Sequence, residues 1–360
     1  MYFLFLNIAL DPYWLKFVLL NSLTFYRNDI TNVSYEVNYY SMFKKNKVSL
    51  VLTTINKVSK NIRNIEKGCK KKNWDLQIVG DKKSPRNFKL TYGNYTSLKD
   101  QLKLNLDYPK KSLLNTYARK NIAYLLSIKN HSNVIIETDD DNYPLKNFFD
   151  ERSLIQKYSL IKNKGWINIY DIFKKDKTLI WQRGLPLNEI LNKKKFRFII
   201  TKNKCYVQQG LCNLNPDVDA IYRLINKKIN IEFKDNLKIG ISNNSVTVFN
   251  SQNTTWFKEA FPLLYLPSNC SMRATDIWRS IVTQKILFND KKDILFHSSN
   301  VYQKRNPHIL MKDFKDEISV YLDIDTIYQE LKKVRLKKGT NNYLENLVKC
   351  YHELCKKGFF

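Results

Sequence analysis

The stretch Val134-Ile-Ile-Glu-Thr-Asp-Asp-Asp-Asn-Tyr-Pro144 joins a short apolar, β-branched run to three consecutive carboxylates. Such a run predicts a buried strand of a parallel sheet, and residues 139–141 follow it directly. Ligands of open α/β folds bind at the carboxyl edge of the strands, and carboxylate oxygens suit Mg²⁺ or Mn²⁺. Alternate Asp side chains can then divide the work between a metal and the hydroxyls of a ribose. The pattern predicts a metal site, with a solvated acidic turn as the alternative.

Strands and helices alternate on the amino-terminal side of this turn. Residues 47–56 predict a buried parallel strand that delivers a loop, and residues 57–72 have apolar side chains at helical spacing. Residues 74–80 predict a second strand, which Asp81 follows. Strand, helix and strand in this order form the unit of a parallel α/β sheet. The other predicted elements are a loop-rich segment over residues 82–115, a helix over 119–129, strands over 166–170 and 196–200, and helices over 312–357.

These elements predict an α/β fold in three parts. Residues 47–300 form the α/β domain, residues 301–360 a helical extension, and residues 1–46 an apolar segment with a linker. The chain is 43% hydrophobic, which suffices for a sizeable core. Residues 1–25 are a candidate for membrane association, although polar residues interrupt a run that must be about 20 residues long to cross a bilayer. A helix packed on the domain is the alternative, so the localisation stays open between endomembrane and cytoplasm.

The formal net charge of +28 favours a polyanionic partner such as nucleic acid or an anionic membrane. Only 12 of the 61 basic residues are arginine, however, and the chain is rich in Asn, Ile and Tyr. These residues and Lys all have AT-rich codons, so compositional drift explains the surplus. The lysines are scattered in twos and threes without a single basic stripe. We therefore expect no nucleic-acid partner, although the charge would attract a phosphorylated substrate.

Two cations, Arg119 and Lys120, stand at the start of the helix predicted before the acidic turn. Backbone N–H groups and the helix dipole favour a phosphate at such a position, and the two cations add to that attraction. The arrangement favours contact with a phosphate, and a charged first turn facing water is the alternative.

The chain also resembles a known family. The blocks that carry the resemblance follow one another in the same order as in the STELLO-like glycosyltransferases of eukaryotes: Arg119-Lys-Asn-Ile-Ala-Tyr-Leu125, residues 134–142, Trp181-Gln-Arg-Gly-Leu-Pro186, residues 207–224 and residues 264–279. The fourth block is also similar to the reversibly glycosylated polypeptides, which are UDP-arabinopyranose mutases. We expect the resemblance to extend over residues 47–360.

This resemblance implies a GT-A fold, Rossmann-like with a mostly parallel sheet, and a D-x-D site for Mn²⁺ or Mg²⁺. Matched residue by residue, Asp139 and Asp141 are the D-x-D carboxylates, and Asp139 and Asp140 contact the nucleotide sugar. The residues that match the nucleotide-binding loop and the acidic residue for the base or ribose are Thr53, Thr54, Asn56 and Asp81. A late histidine contacts the metal or pyrophosphate in many GT-A enzymes, and His297 is the candidate here.

Two further blocks supply candidates with structural alternatives. Asp217 and Asp219 form an acidic turn before an apparent helix. One of them could deprotonate an acceptor hydroxyl, or an Asp could cap the helix. Residues 271–279 combine planar hydrogen-bonding groups with a tryptophan, which suits sugar binding, and Arg279 is the candidate ligand. A helix start with an ion pair and a buried tryptophan is the alternative.

Together these features predict a metal-dependent glycosyltransferase. Its partners are a nucleotide-sugar donor, expected to be linked to UDP, and a glycan or protein acceptor. The metal and the cations Arg119 and Lys120 would neutralise the diphosphate leaving group. The alternatives are a UDP-sugar mutase and a non-catalytic scaffold with the same fold.

Overall fold

A computed structural model describes residues 46–226 and 228–360. The candidate membrane segment, residues 1–25, lies outside the described residues. Within the described ranges, no helix combines the length and the apolar character that crossing a bilayer requires.

The strands, in chain order, are β1 (Val48–Thr54), β2 (Asp75–Gly80), β3 (Asn94–Thr96), β4 (Val134–Thr138), β5 (Asn142–Pro144), β6 (Ile155–Ile161), β7 (Gly165–Trp166), β8 (Phe198–Lys204), β9 (Val207–Asn213), β10 (Lys238–Ile241), β11 (Ser245–Val246), β12 (Asn253–Phe257) and β13 (Ile294–Gln303). The helices are α1 (Lys60–Lys72), α2 (Leu98–Lys103), α3 (Tyr108–Lys111), α4 (Lys120–Lys129), α5 (Ile169–Phe173), α6 (Ala220–Ile225), α7 (Thr275–Asn289), α8 (Leu310–Lys333) and α9 (Tyr343–Lys356).

One large mixed sheet organises the molecule, in the order β3-β2-β1-β4-β12-β9-β13-β10-β6-β8, with β5 paired to β13. Its amino-terminal half is parallel, since β1 pairs in parallel with both β2 and β4, and β2 with β3. β12 is antiparallel to both β4 and β9, and β13 is parallel to β9. The carboxyl ends of β1, β2, β4, β9 and β13 therefore meet at one edge of the sheet.

The carboxyl-terminal helices pack against the same core as the sheet. The buried positions of α8 are Val320, Ile324, Ile327 and Leu331, whose spacing makes one apolar stripe along a helix. They join one hydrophobic cluster with Ile135 of β4. The boundary that we predicted at residue 300 falls inside β13.

The predicted α/β class is confirmed, and most of the predicted elements are present. Residues 166–170 are the exception, because only Gly165–Trp166 is a strand there and α5 begins at Ile169. Residues 167–173 are rich in buried apolar side chains, and a short apolar run does not separate a buried strand from a buried helix. The segment predicted as a loop, residues 82–115, contains β3, α2 and α3.

Candidate active site

The acidic turn, residues 139–141, follows β4 at the shared carboxyl edge of the sheet. The loop after β1 holds its middle carboxylate. Thr54 Oγ1 and Asn56 Nδ2 both donate to Asp140 Oδ2, the latter at 2.9 Å. Asn61 of α1 donates to the Asp140 carbonyl at 2.9 Å. Asp140 thus fixes the end of β1 and the loop after it against the turn, and Thr53 lies next to Thr54 within β1.

The third carboxylate, Asp141, is held from the other side by the end of β13. Gln303 Nε2 donates to Asp141 Oδ1 at 3.0 Å, and the Asn306 backbone N–H donates to Oδ2 at 3.0 Å. The Asn306 side chain also donates to Asp140 Oδ1 at 3.1 Å. Burial raises the pKa of Asp141, and these hydrogen bonds oppose the shift. Uncharged donors therefore orient this carboxylate without neutralising it.

The first carboxylate, Asp139, has a buried cation beside it. Lys120 Nζ lies 3.2 Å from Asp139 Oδ1 and donates to the Thr138 carbonyl at 3.0 Å, with no exposed side-chain surface. Tyr117 OH donates to the same Oδ1 at 2.8 Å. The Asp139 side chain keeps 28% exposure. Burial raises its pKa to about 6, although Lys120 acts in the opposite direction.

A chain of buried and half-buried polar groups links this turn to the second acidic turn. Tyr117 OH accepts from Ser251 Oγ at 2.7 Å, and the Ser251 N–H donates to Asp276 Oδ2 at 3.1 Å. Arg183 binds Asp276 at 3.0 Å and Asp217 at 2.7 Å. Burial acts to raise the pKa of Asp276, but the charge and hydrogen bonds of Arg183, with smaller contributions from neighbouring groups, together outweigh burial, so the pKa of Asp276 is lowered. The second turn lies at the same edge because it follows β9.

The two carboxylates of the second turn are bound to protein groups. Arg183 donates to both oxygens of Asp217, at 2.7–3.1 Å. Asp219 is fully buried and caps α6, since its Oδ1 accepts from the Tyr222 N–H at 2.7 Å and its Oδ2 from Trp181 Nε1 at 2.6 Å. Burial raises the pKa of Asp219 to about 6. The capping alternative fits Asp219, and a base role for either residue stays a prediction without geometric support.

The structure does not bring Arg279 or His297 to the acidic turn. Arg279 is fully buried, pairs with Glu137 of β4 at 2.8 Å and lies over the Trp256 ring at 4.9 Å. His297 lies six positions before Gln303 on β13, which places it on the order of 15–20 Å from Asp141. Its Nδ1 lies 2.8 Å from the Ser298 carbonyl, and burial lowers its pKa to about 4. Both residues therefore occupy structural positions.

Arg119 and Asp81 lie close to the turn but contact other groups. Arg119 is 1% exposed and donates to Gln101 Oε1 and to the Ser112 carbonyl, so it holds the segment before α4. Asp81 Oδ2 accepts from the Thr116 N–H at 3.3 Å. Burial lowers the pKa of Arg119, and the charge of Asp81 opposes that shift. The Arg119 side chain thus contacts Gln101 and Ser112, and this arrangement does not support the predicted phosphate contact.

The donor set of the first turn fits a hard divalent cation. Oδ2 of Asp139 has no protein donor among the described residues, and the charge of Asp141 adds to burial in raising the pKa of Asp139. A cation between the two would relieve both effects. Over the described ranges, no group of three His, Cys, Asp or Glu side chains is arranged as a complete metal site. Mg²⁺ is usually held by one or two carboxylates with substrate phosphates, and this turn offers two.

Sequence reasoning missed several residues that build the site. They are Asn61, Tyr117, Arg183, Ser251, Asp276, Gln303 and Asn306. None belongs to a local motif with a mechanism, since each acts across a long sequence separation. Arg183 and Asp276 did stand inside the family-like blocks, which was the available signal.

Comparison with known proteins gives concordant results. The sequence profile of the STELLO glycosyltransferases matches residues 273–360. The chain therefore resembles the STELLO glycosyltransferases over this region. It is 24% identical over 354 residues to the protein described as Probable glycosyltransferase STELLO2 of Arabidopsis thaliana, covering 92% of this chain and 45% of the relative. It is 22% identical over 307 residues to Probable glycosyltransferase STELLO1 of the same plant, covering 80% and 39%.

The resemblance inferred from the sequence blocks is therefore confirmed, and the alignment to STELLO2 covers most of this chain. The profile match begins at Arg273 and includes the segment that clasps Asp141. The chain spans less than half of the length of either relative.

Proposed function

We propose that the chain is a metal-dependent glycosyltransferase that transfers a sugar from a nucleotide sugar to an acceptor hydroxyl. One observation carries the proposal. Asp139 and Asp141 lie at the carboxyl end of a central strand and have a net negative charge, with Tyr117 and Lys120 beside Asp139 and Gln303 and Asn306 beside Asp141. The descriptions of the STELLO family and of both relatives support the same reaction class.

The loop after β1 would hold the nucleotide, together with Asp81. This loop is bound to Asp140 through Thr54 and Asn56, so nucleotide and diphosphate would be positioned by one hydrogen-bonded unit. Fixed positions of this kind lower the entropic part of the barrier, because the reacting groups are already aligned. Asn56 is exposed, so its amide can reach a ligand.

Asp139 and Asp141 would hold Mn²⁺ or Mg²⁺. When bound, the ion would neutralise the charge that develops on the diphosphate leaving group. The protein keeps these carboxylates in place with Lys120 on one side and with Gln303 and Asn306 on the other. Lys304 is exposed. Its backbone N–H donates to the Asp141 carbonyl at 3.1 Å, and its Nζ lies 5.4 Å from the centroid of the Tyr143 ring. An exposed cation of this kind can turn toward a phosphate, whereas the guanidinium of Arg119 is buried.

A panel of nucleotide sugars tests the proposal. Thermal stabilisation by UDP-sugars should appear with Mn²⁺ and vanish with a chelator, and Asp141→Asn should remove it. Asp235→Asn is the matched control, because that carboxylate is 74% exposed and pairs only with Lys175 in the described part of the chain. No stabilisation by any nucleotide sugar with Mn²⁺ would refute the proposed donor site.

A second assay separates the candidate reactions. A mutase would convert a UDP-sugar with no acceptor present, whereas a transferase would need an acceptor to release UDP faster than slow hydrolysis does. A scaffold would bind the donor and show neither reaction.

A further inference from the structure

The edge of the sheet opposite β3 consists of β6 and β8. β8 is the last strand in the order, and among the described residues it pairs only with β6. Six strand spacings separate it from β4, or roughly 29 Å. A partner bound at this edge would leave the acidic turn open.

The two strands and their flanks carry only positive charge. Residues 153–164 and 193–204 contain nine Lys and Arg residues and no Asp or Glu. In the linear sequence the two stretches lie about 30 residues apart, so neither forms a stripe by itself. The antiparallel pairing of β6 with β8 brings them side by side. The fold thus brings these cations together on one basic surface, although the composition of the chain by itself was explained by compositional drift.

The register fixes which side chains share a face. Lys202 pairs with Lys157, Ile200 with Ser159, and Lys204 with Ile155. Side chains alternate between the two faces of a strand, so Phe198, Ile200, Lys202 and Lys204 project to one side together with Ile155 and Lys157. We name these six residues the β6–β8 face.

Apolar and cationic side chains on this face are both open to solvent. Ile200 is 66% exposed, Ile155 47% and Phe198 42%. Lys157, Lys202 and Lys204 are exposed as well. Like charges directly opposite one another destabilise a strand pair, and the Lys157–Lys202 pair does so with no carboxylate on either strand. The β6–β8 face therefore has two unfavourable features, repulsion between lysines and apolar surface in contact with water, and an anionic, partly apolar partner would relieve both.

Edge protection explains only part of this composition. Lysines on an edge strand prevent pairing with other chains, which accounts for Lys202 and Lys204. It does not account for the exposed Phe198 and Ile200 on the same face of β8, because such side chains favour the association that edge lysines oppose.

We infer that the β6–β8 face binds the surface of an anionic lipid bilayer. Lysines near such a surface are attracted to its negative potential, while apolar side chains enter the boundary between headgroups and acyl chains. Nucleic acid fits less well. Of the nine cations only Arg197 is an arginine, and of the exposed apolar side chains on this face only Phe198 offers a base a stacking surface.

Vesicle sedimentation of the full chain tests this inference. The probes are phosphatidylcholine vesicles with and without about 30% phosphatidylserine. Wild type should bind the anionic vesicles at least about tenfold more tightly, and Lys157→Glu with Lys202→Glu should remove most of that difference. Phe198→Ser with Ile200→Ser should weaken binding about tenfold at unchanged charge.

Matched controls isolate this face from the rest of the chain. Lys70→Glu with Lys71→Glu makes the same charge change on α1, and Met311→Ser with Leu322→Ser removes apolar side chains that are 62% and 71% exposed on α8. Both controls should bind like wild type, and all variants should melt within a few degrees of it.

Three results would overturn the inference. The first is equal binding to neutral and anionic vesicles. The second is that the variants of the β6–β8 face bind vesicles as well as their controls do. The third is that a single-stranded oligonucleotide binds more tightly than vesicles, and that Phe198→Ser with Ile200→Ser does not weaken its binding. The donor-site assays are independent of all three.

Discussion

The pattern D-x-D occurs three times in the chain, and two of its copies, residues 139–141 and 217–219, follow strands that end at the same edge of the sheet. The partners of the two copies differ. Uncharged donors and one lysine surround the first turn, and burial raises the pKa of both Asp139 and Asp141. In the second turn an arginine binds Asp217 through both oxygens, and Asp219 caps a helix. The carboxylates of the first turn can still bind a cation, whereas those of the second turn are already bound to groups of the protein itself.

This contrast shows what the local pattern does not contain. Carboxylates that are buried with uncharged donors keep an electrostatic cost, which a bound cation can remove. For carboxylates that are buried beside a guanidinium, the positive charge of that group already offsets the electrostatic cost. The distinction depends on Arg183, which lies 34 positions from Asp217 in the sequence.

Breaking the second turn should have the largest effect on stability. Arg183→Ala leaves Asp217 and Asp276 buried without their cation, so we expect the free energy of unfolding to fall by about 3–5 kcal/mol. Urea denaturation measures it. Arg335→Ala, an exposed arginine, should change stability by less than about 0.5 kcal/mol. A loss below about 1 kcal/mol for Arg183→Ala would show that the ion pairs do not hold this turn.

Breaking the first turn should instead remove function. Asp141→Asn should lower the transfer rate on the order of 10²–10³-fold, because the charge on the leaving group loses its stabilisation. Mn²⁺-dependent stabilisation should disappear as well. Asp217→Asn should retain it, since the carboxamide stays outside the proposed metal site. Equal loss of Mn²⁺ response in the two variants would erase the contrast between the turns.

The pH dependence of Mn²⁺ binding sharpens the comparison further. Burial raises the pKa of Asp139 to about 6, so without metal the folded state holds this proton more tightly than the unfolded chain does. The stabilisation from that proton is present below the ordinary aspartate pKa and is lost as the pH rises through 6. Mn²⁺ must displace the proton, so its apparent affinity should weaken about tenfold per pH unit below 6. Titration calorimetry between pH 4.5 and 7 measures this slope, and a flat profile would contradict it.

The smallest effect should come from the helix cap. Asp219→Ala removes the acceptor for the Tyr222 N–H and for Trp181 Nε1, and should cost about 1–2 kcal/mol. Donor and Mn²⁺ binding should remain unchanged when measured well below the melting temperature. Loss of transfer at full stability would instead return Asp219 to the active site.

Most of the fold followed from local patterns. β1, β2, β4, α1, α4 and the carboxyl-terminal helices were predictable because each has a regular apolar period and a clear end. α5 was not, since a buried apolar run such as residues 167–173 fits either helix or strand. The antiparallel part of the sheet was also beyond reach, because strand order depends on pairing between distant segments.

The candidate site was predictable only where strands deliver it. Asp139, Asp140, Asp141, Thr54 and Asn56 lie together because β1 and β4 are neighbours. Residues that contact one another from distant segments left no local signal, as with Ser251 and Tyr117, 134 positions apart. Arg279 and Asp219 were singled out for chemistry, yet their burial with Glu137 and Trp181 follows from tertiary packing, which one sequence does not display.

The hydrogen bonds that hold Asp141 have a consequence for the order in which the protein folds. Gln303 and Asn306 reach this carboxylate across 162 and 165 positions of sequence, and contacts of such separation form late because closing a long loop costs entropy before any contact offsets it. During synthesis the acidic turn leaves the ribosome well before β13 does. We expect the turn to gain its final geometry only when the last sheet strand is in place, so a partly folded chain would not yet sequester donor or metal.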